Sequence, residues 1–113
     1  MLTEKDYCDY DTCVALNELG LSFEDASQGF ERNILTNRYE EVPRPLLYEA
    51  QKWLREEKHL HIEVRWYCNM WYEYEVKEAE GKVLAEGSAF KTYEEALSTA
   101  IYMATEHLKE EKL

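Results

Sequence analysis

The 113-residue chain has few of the residues that most chemistry-bearing motifs require. Four glycines make no Gly-rich loop to cradle a phosphate. No apolar run approaches the ~20 residues that cross a bilayer, so no membrane association is expected. The opening residues, Met1-Leu2-Thr3-Glu4-Lys5-Asp6, show neither the basic stretch nor the apolar stretch of a signal peptide. Three cysteines stand at 8, 13 and 68, and an odd count without a secretory leader reads as reduced thiols in a cytoplasmic protein. Cys13 lies in an apolar helical pattern and reads as a small core residue. The cysteines and His59/His61 match no C-x₂-C or H-x₃₋₅-H spacing. Two histidines at a strand start read as surface residues, so neither metal nor cofactor is expected.

Positive charge is also scarce. Thirteen Lys/Arg face 24 Asp/Glu, a formal net charge of −11. Residues 1–42 hold ten acids and three bases, a net of −7, and residues 43–113 hold the remaining −4. An excess of this sign repels nucleic-acid phosphates and anionic membrane surfaces. It favours a basic partner, or serves only as a solvated acidic surface. Catalysis finds no foothold either. So many carboxylates make a close pair inevitable, and Cys68 near His59 and His61 lacks a third group to complete an activated thiol. No catalytic residue is assigned, and the chain does not read as an enzyme.

What the chain does contain is core material. Apolar residues make up 45% and aromatics 13%, with nine Tyr, three Trp and three Phe, which argues for a folded domain. The whole chain, 1–113, reads as one domain: an acidic N-terminal helix and irregular segment over 1–42, then an α-β-β-β-α unit over 43–110. Asp11 and Thr12 are N-cap types ahead of an apolar helix to Leu19, with Gly20 as its stop. Residues 22–42 read as a loop, with a short strand or an irregular wrap over Phe30 to Tyr39. Pro43 and Pro45 disfavour helix before them and open one from about Pro45 to Lys58. Its apolar stripe is Leu46, Leu47, Ala50, Trp53 and Leu54.

The period then changes to two. Leu60, Ile62, Val64 and Trp66 alternate with polar residues, as do Tyr72, Tyr74 and Val76 in a second strand, and these seven are expected on the covered sheet face. Gly81 occupies the turn position that needs positive φ. A third strand runs from about Lys82 to Phe90, with Gly87 marking a bulge or a close approach. Thr92-Tyr93-Glu94-Glu95 is a capping box opening a last helix with Ala96, Leu97, Ala100, Ile101, Ala104 and Leu108 on its apolar face. Lys109 and Lys112 suit the far end of its dipole. The expected class is α+β, a three-stranded antiparallel sheet packed on two helices.

This element order resembles double-stranded RNA-binding domains, which grip phosphates with cations at the start of their final helix. Here that position holds Glu94 and Glu95, so no nucleic acid is expected as partner. The aromatics are the feature to follow. Alternation puts Tyr67 and Trp71 on the face away from the helices, among Arg65, Glu73 and Glu75, with His61 and Glu63 nearby. Either the N-terminal segment folds over Tyr67 and Trp71 as core, or they form an aromatic patch with charged flanks, a composition favoured at protein interfaces.

Pro43 to Glu56 (PRPLLYEAQKWLRE), and later Lys91-Thr92-Tyr93-Glu94-Glu95-Ala96, resemble a family of small acidic proteins encoded in phage-like and conjugative elements of gut anaerobes. The resemblance spans about residues 43 to 108. It implies context, accessory cargo of mobile DNA, and brings no activity, cofactor or site residue. The leading expectation is a non-enzymatic protein-interaction or regulatory module with a basic protein partner, or a homodimer formed through an open sheet edge. The alternatives are a nucleic-acid mimic that occupies the basic groove of a defence or regulatory protein, and an orphan enzyme.

Overall fold

The computed structural model describes residues 4–26, 28–30 and 42–111. A short 3₁₀ turn at Glu4–Asp6 leads into helix α1, Tyr10–Glu18. The cap of α1 is Asp9, not Asp11 or Thr12 as expected: Asp9 Oδ1 accepts the Thr12 amide at 2.8 Å. Asp11 and Thr12 lie two and three residues later, inside the helix, where Thr12 is buried. The other end follows the sequence. Gly20 stands at φ 118, its amide donates to Asn17 O, and the Leu21 amide donates to Leu16 O. That pair of bonds is a Schellman motif, and the buried Leu16 and Leu21 side chains are its apolar clasp.

The connection from 22 on is more ordered than a loop. Ser22 and Asp25 cap a second 3₁₀ turn, Phe23–Asp25, through Asp25 Oδ2 bonds of 2.9 and 3.0 Å. Strand β1, Gln28–Phe30, then pairs antiparallel with β2, Val42–Arg44. Most of the expected Phe30–Tyr39 strand or wrap lies outside the described residues. Pro43 sits within β2 opposite Gly29, whereas the prolines were expected only to bound a helix. A two-stranded ribbon tolerates it because a proline there need forfeit only an edge donor.

Helix α2 spans Leu47–Glu57, two residues later than Pro45. Leu46 is its extended cap residue: its amide donates to Glu49 Oε1 at 2.8 Å, and it bridges back to Tyr7. Leu47, Ala50, Trp53 and Leu54 are buried, as their spacing requires.

Strands β3 (Leu60–Tyr67), β4 (Trp71–Glu78) and β5 (Val83–Phe90) form an antiparallel sheet in the order β3-β4-β5. Gly81 closes the second turn at φ 97. Gly87 marks both features anticipated for it. The β4–β5 register slips between Tyr72 and Tyr74, and a Cβ on Gly87 would meet Tyr74 Cε1 at 2.6 Å. Only glycine lets the Tyr74 ring lie across the neighbouring strand.

Helix α3, Tyr93–Glu111, is capped by Thr92, whose Oγ1 accepts the Glu95 amide at 3.1 Å. All six expected stripe residues, from Ala96 to Leu108, are buried. Lys112 lies outside the described residues. α3 packs on all three strands of the sheet, α2 on β3 and α3, and α1 on α3 and β2. The result is one α+β domain with its core between the helices and one sheet face, where Leu60, Ile62, Tyr74 and Val76 are buried.

Two inward residues, Trp66 and Tyr72, lie outside that core. Trp66, expected on the covered face, is 48% exposed. The 11 residues of α2 reach about 16 Å, while the eight residues of β3 reach about 26 Å. β3 therefore extends beyond α2.

Candidate functional site

The outer face of that hairpin collects the residues that alternation selected. Pairing aligns Tyr67 with Trp71, Arg65 with Glu73, and Glu63 with Glu75, all facing away from the helices. Register is fixed by the turn Cys68-Asn69-Met70. Cys68 and Asn69 take φ 48 and 55, and the Met70 amide donates to Tyr67 O at 2.9 Å. Two successive positive φ angles are the requirement of the type I′ hairpin turn, and Asn is well suited to it. A slip of one residue would send the whole set to the buried face. The five expected site residues, Arg65, Tyr67, Trp71, Glu73 and Glu75, are thus brought together.

The Tyr67 and Trp71 rings stack with centroids 5.8 Å apart and planes 21° from parallel. Tyr67 is 47% exposed and Met70, at the turn, 65%. The described N-terminal elements pack on α3 and β2, and residues 31–41, which the covered reading also needs, lie outside the described residues. Trp71 is half-buried, and its indole N–H is buried with no acceptor among the described residues. The opposite side of the hairpin is aromatic too. Trp66 and Tyr72 rings lie 4.6 Å apart, and Tyr93 meets Tyr72 edge-on at 6.0 Å. Trp66 Nε1 donates to Asn69 Oδ1 at 2.8 Å, which pins that ring to the turn. Sequence reasoning left Trp66 and Tyr72 in the core and did not consider Tyr93.

Below the aromatic pair lies an ion network. Arg65 reaches Glu75 at 2.6 Å, Glu73 at 3.4 Å and Glu63 at 3.8 Å. Lys77 reaches Glu75 at 3.0 Å and Glu63 at 3.4 Å. Glu63 and Glu75 are directly opposed like charges, a destabilising pairing unless cations intervene. Arg65 and Lys77 do so. Lys77 first, then Arg65, hold the Glu75 carboxyl below its ordinary pKa, while Glu75 raises both cations above theirs. Being solvated, each pair contributes little alone, and the network's effect is mainly to fix side chains in place. Glu86, opposite Glu75 on β5, adds a fourth carboxylate and lines a hollow of about 390 Å³ with Arg65, Glu73 and Ser88. Four carboxylates against two cations leave this face acidic.

No known protein family, curated protein or solved structure matches the chain. Its own geometry therefore carries the functional argument. A larger hollow, about 710 Å³, lies elsewhere, between the first 3₁₀ turn, Arg44 and the start of α3. Tyr7, Cys8 and Phe90 line it beside Glu94 and Glu95, and Arg44 packs over the Tyr7 ring at 4.5 Å. It contains none of the five residues. Glu94 and Glu95 occupy the first turn of α3. Among the described residues no helix is long and apolar enough to cross a membrane.

Proposed function

We propose that the chain is a non-enzymatic interaction module whose contact surface is the β3–β4 hairpin, and that its partner is a basic protein segment. The observation that carries this reading is the solvent-facing Tyr67–Trp71 stack beside a carboxylate-rich face. Aromatic rings supply contact area at low entropic cost, and surrounding carboxylates steer and orient Lys or Arg side chains. A cation docking on the Tyr67 ring adds a cation–π term. The unsatisfied Trp71 N–H supports the same reading, because a partner's carbonyl would relieve it after a small shift of the stack.

The nucleic-acid mimic is the weaker reading. A phosphate row has no interleaved cations, whereas Arg65 and Lys77 sit between Glu63 and Glu75. Intracellular placement, the mobile-element context and a homodimer through the β5 edge are parts of the proposal that rest on sequence pattern and resemblance. The test uses arrays of Lys/Arg-bearing peptides read by tryptophan fluorescence at low and moderate salt. Binding that weakens with salt and is lost in Tyr67→Ala/Trp71→Ala, but kept in Tyr48→Ala on exposed α2 surface, supports the module. Binding unchanged by the double substitution overturns it.

A further inference from the structure

At the sheet end opposite the aromatic turn, the last turn of α3 meets the end of β4. His107 and Glu111 stand one helical turn apart, with His107 Nε2 3.0 Å from Glu111 Oε1. Glu78, the last residue of β4, reaches them from the sheet, so that one donor atom from each of the three lies within 4.8 Å of the other two. The three border a hollow of about 280 Å³ that His59 and Glu80 also line. Lys58 borders it too, but its ammonium is drawn away over the Trp53 ring at 5.6 Å.

Two physical arguments point to a cation here. The first is charge. Glu111 lies in the final turn of α3, where exposed carbonyls already make the local potential negative, and Glu78 adds a second carboxylate from the sheet. The second is donor geometry. Bonds of 2.0–2.2 Å in a tetrahedral zinc site put neighbouring ligand atoms about 3.4 Å apart. His107 and Glu111 are already close to that spacing. Glu78, with an oxygen within 4.8 Å of both, completes it by rotation of a half-buried side chain. One imidazole and two carboxylates suit zinc and its neighbours better than magnesium or calcium, which favour all-oxygen sets.

We propose that Glu78, His107 and Glu111 bind a divalent transition-metal ion of the zinc class, with His59 available as a fourth ligand. The ion ties the end of α3 to the β4–β5 turn and so acts as a staple between the helical layer and the sheet. The His107-x₃-Glu111 spacing is visible in sequence, but Glu78 joins it only through the packing of α3 on β4.

The test titrates zinc chloride into the full chain carrying Cys68→Ser, which removes the exposed thiol as a competing ligand. One ion per chain at roughly micromolar Kd is expected, with an unfolding midpoint that climbs as zinc is raised. His107→Ala and Glu78→Gln should each lower affinity by about tenfold or more. His107→Gln keeps the side-chain volume and gives the same reading if the alanine variant is unstable. Cobalt in place of zinc should give ligand-field bands without thiolate charge transfer. Zinc uptake only at millimolar concentration, affinity in both His107 variants equal to that of the chain with His107 intact, or thiolate bands with cobalt would each overturn the site.

Discussion

Replacing Gly87 by alanine tests the tightest contact in the sheet. The added Cβ would lie 2.6 Å from Tyr74 Cε1, 3.0 Å from Cζ and 3.2 Å from the hydroxyl oxygen. Ordinary carbon contacts begin near 3.5 Å, so the ring must withdraw by about 1 Å. It has little room to do so. Tyr74 is 4% exposed, and its ring packs on Phe90 with centroids 5.7 Å apart. Overpacking of this kind costs about 1–3 kcal/mol, while losing a flexible glycine from a strand returns about 0.5–1 kcal/mol. The net expectation is a loss of about 1–2 kcal/mol, which for a domain of this size lowers the thermal midpoint by roughly 3–10 °C. Urea unfolding measures it, and a second background isolates the cause. In Tyr74→Leu the three contacting ring atoms are gone while the site stays apolar, so Gly87→Ala should there be neutral or stabilising. An equal loss in both backgrounds would refute the ring contact as the reason for glycine.

Trp53 is buried on α2, and Trp53→Ala should destabilise by about 3–5 kcal/mol in urea unfolding; a loss below about 1 kcal/mol would contradict its burial. Ala89 holds φ 69 at the β5 irregularity, a conformation natural to glycine, so Ala89→Gly should raise stability by about 0.5–1 kcal/mol. Glu75 has a lowered pKa in the fold, so its stabilisation is complete above the ordinary glutamate pKa and is lost as pH falls through its folded value. NMR titration of Glu75 should show the depressed value, and Lys77→Met should raise it. Duplex RNA should not bind, because Glu94 and Glu95 occupy the helix start; a filter-binding signal that strengthens as salt is lowered would contradict this.

Sequence signals were most legible where a local rule has one solution. The Thr92 cap, Gly81 in its turn, and the alternation through β3 and β4 all follow from such rules, and the alternation put the five surface residues on one face. Asp9 was obscured because Asp11 and Thr12 are equally good capping types, and only the helix register chooses among them. The β1–β2 ribbon was hidden because three-residue strands carry too little period to register, and because Pro43 argues against a strand until its edge position is known. Trp66 was misplaced for a different reason. Alternation tells which way a side chain points, but not how far the neighbouring helix extends. The Arg65–Lys77 network was half visible, since charge identity was plain but reach across the strands was not.

The sheet's order in space is also its order along the chain, and this has a kinetic consequence. β3, β4 and β5 are joined by connections of only three and four residues, so the sheet assembles by two successive closures of small entropy cost. Docking α1 onto α3 is different, because it joins segments separated by roughly eighty residues. The meander is thus the natural nucleus, and α1 is the element that docks last and leaves first. Destabilising substitutions in the hairpin should slow folding, whereas those in α1 should chiefly speed unfolding.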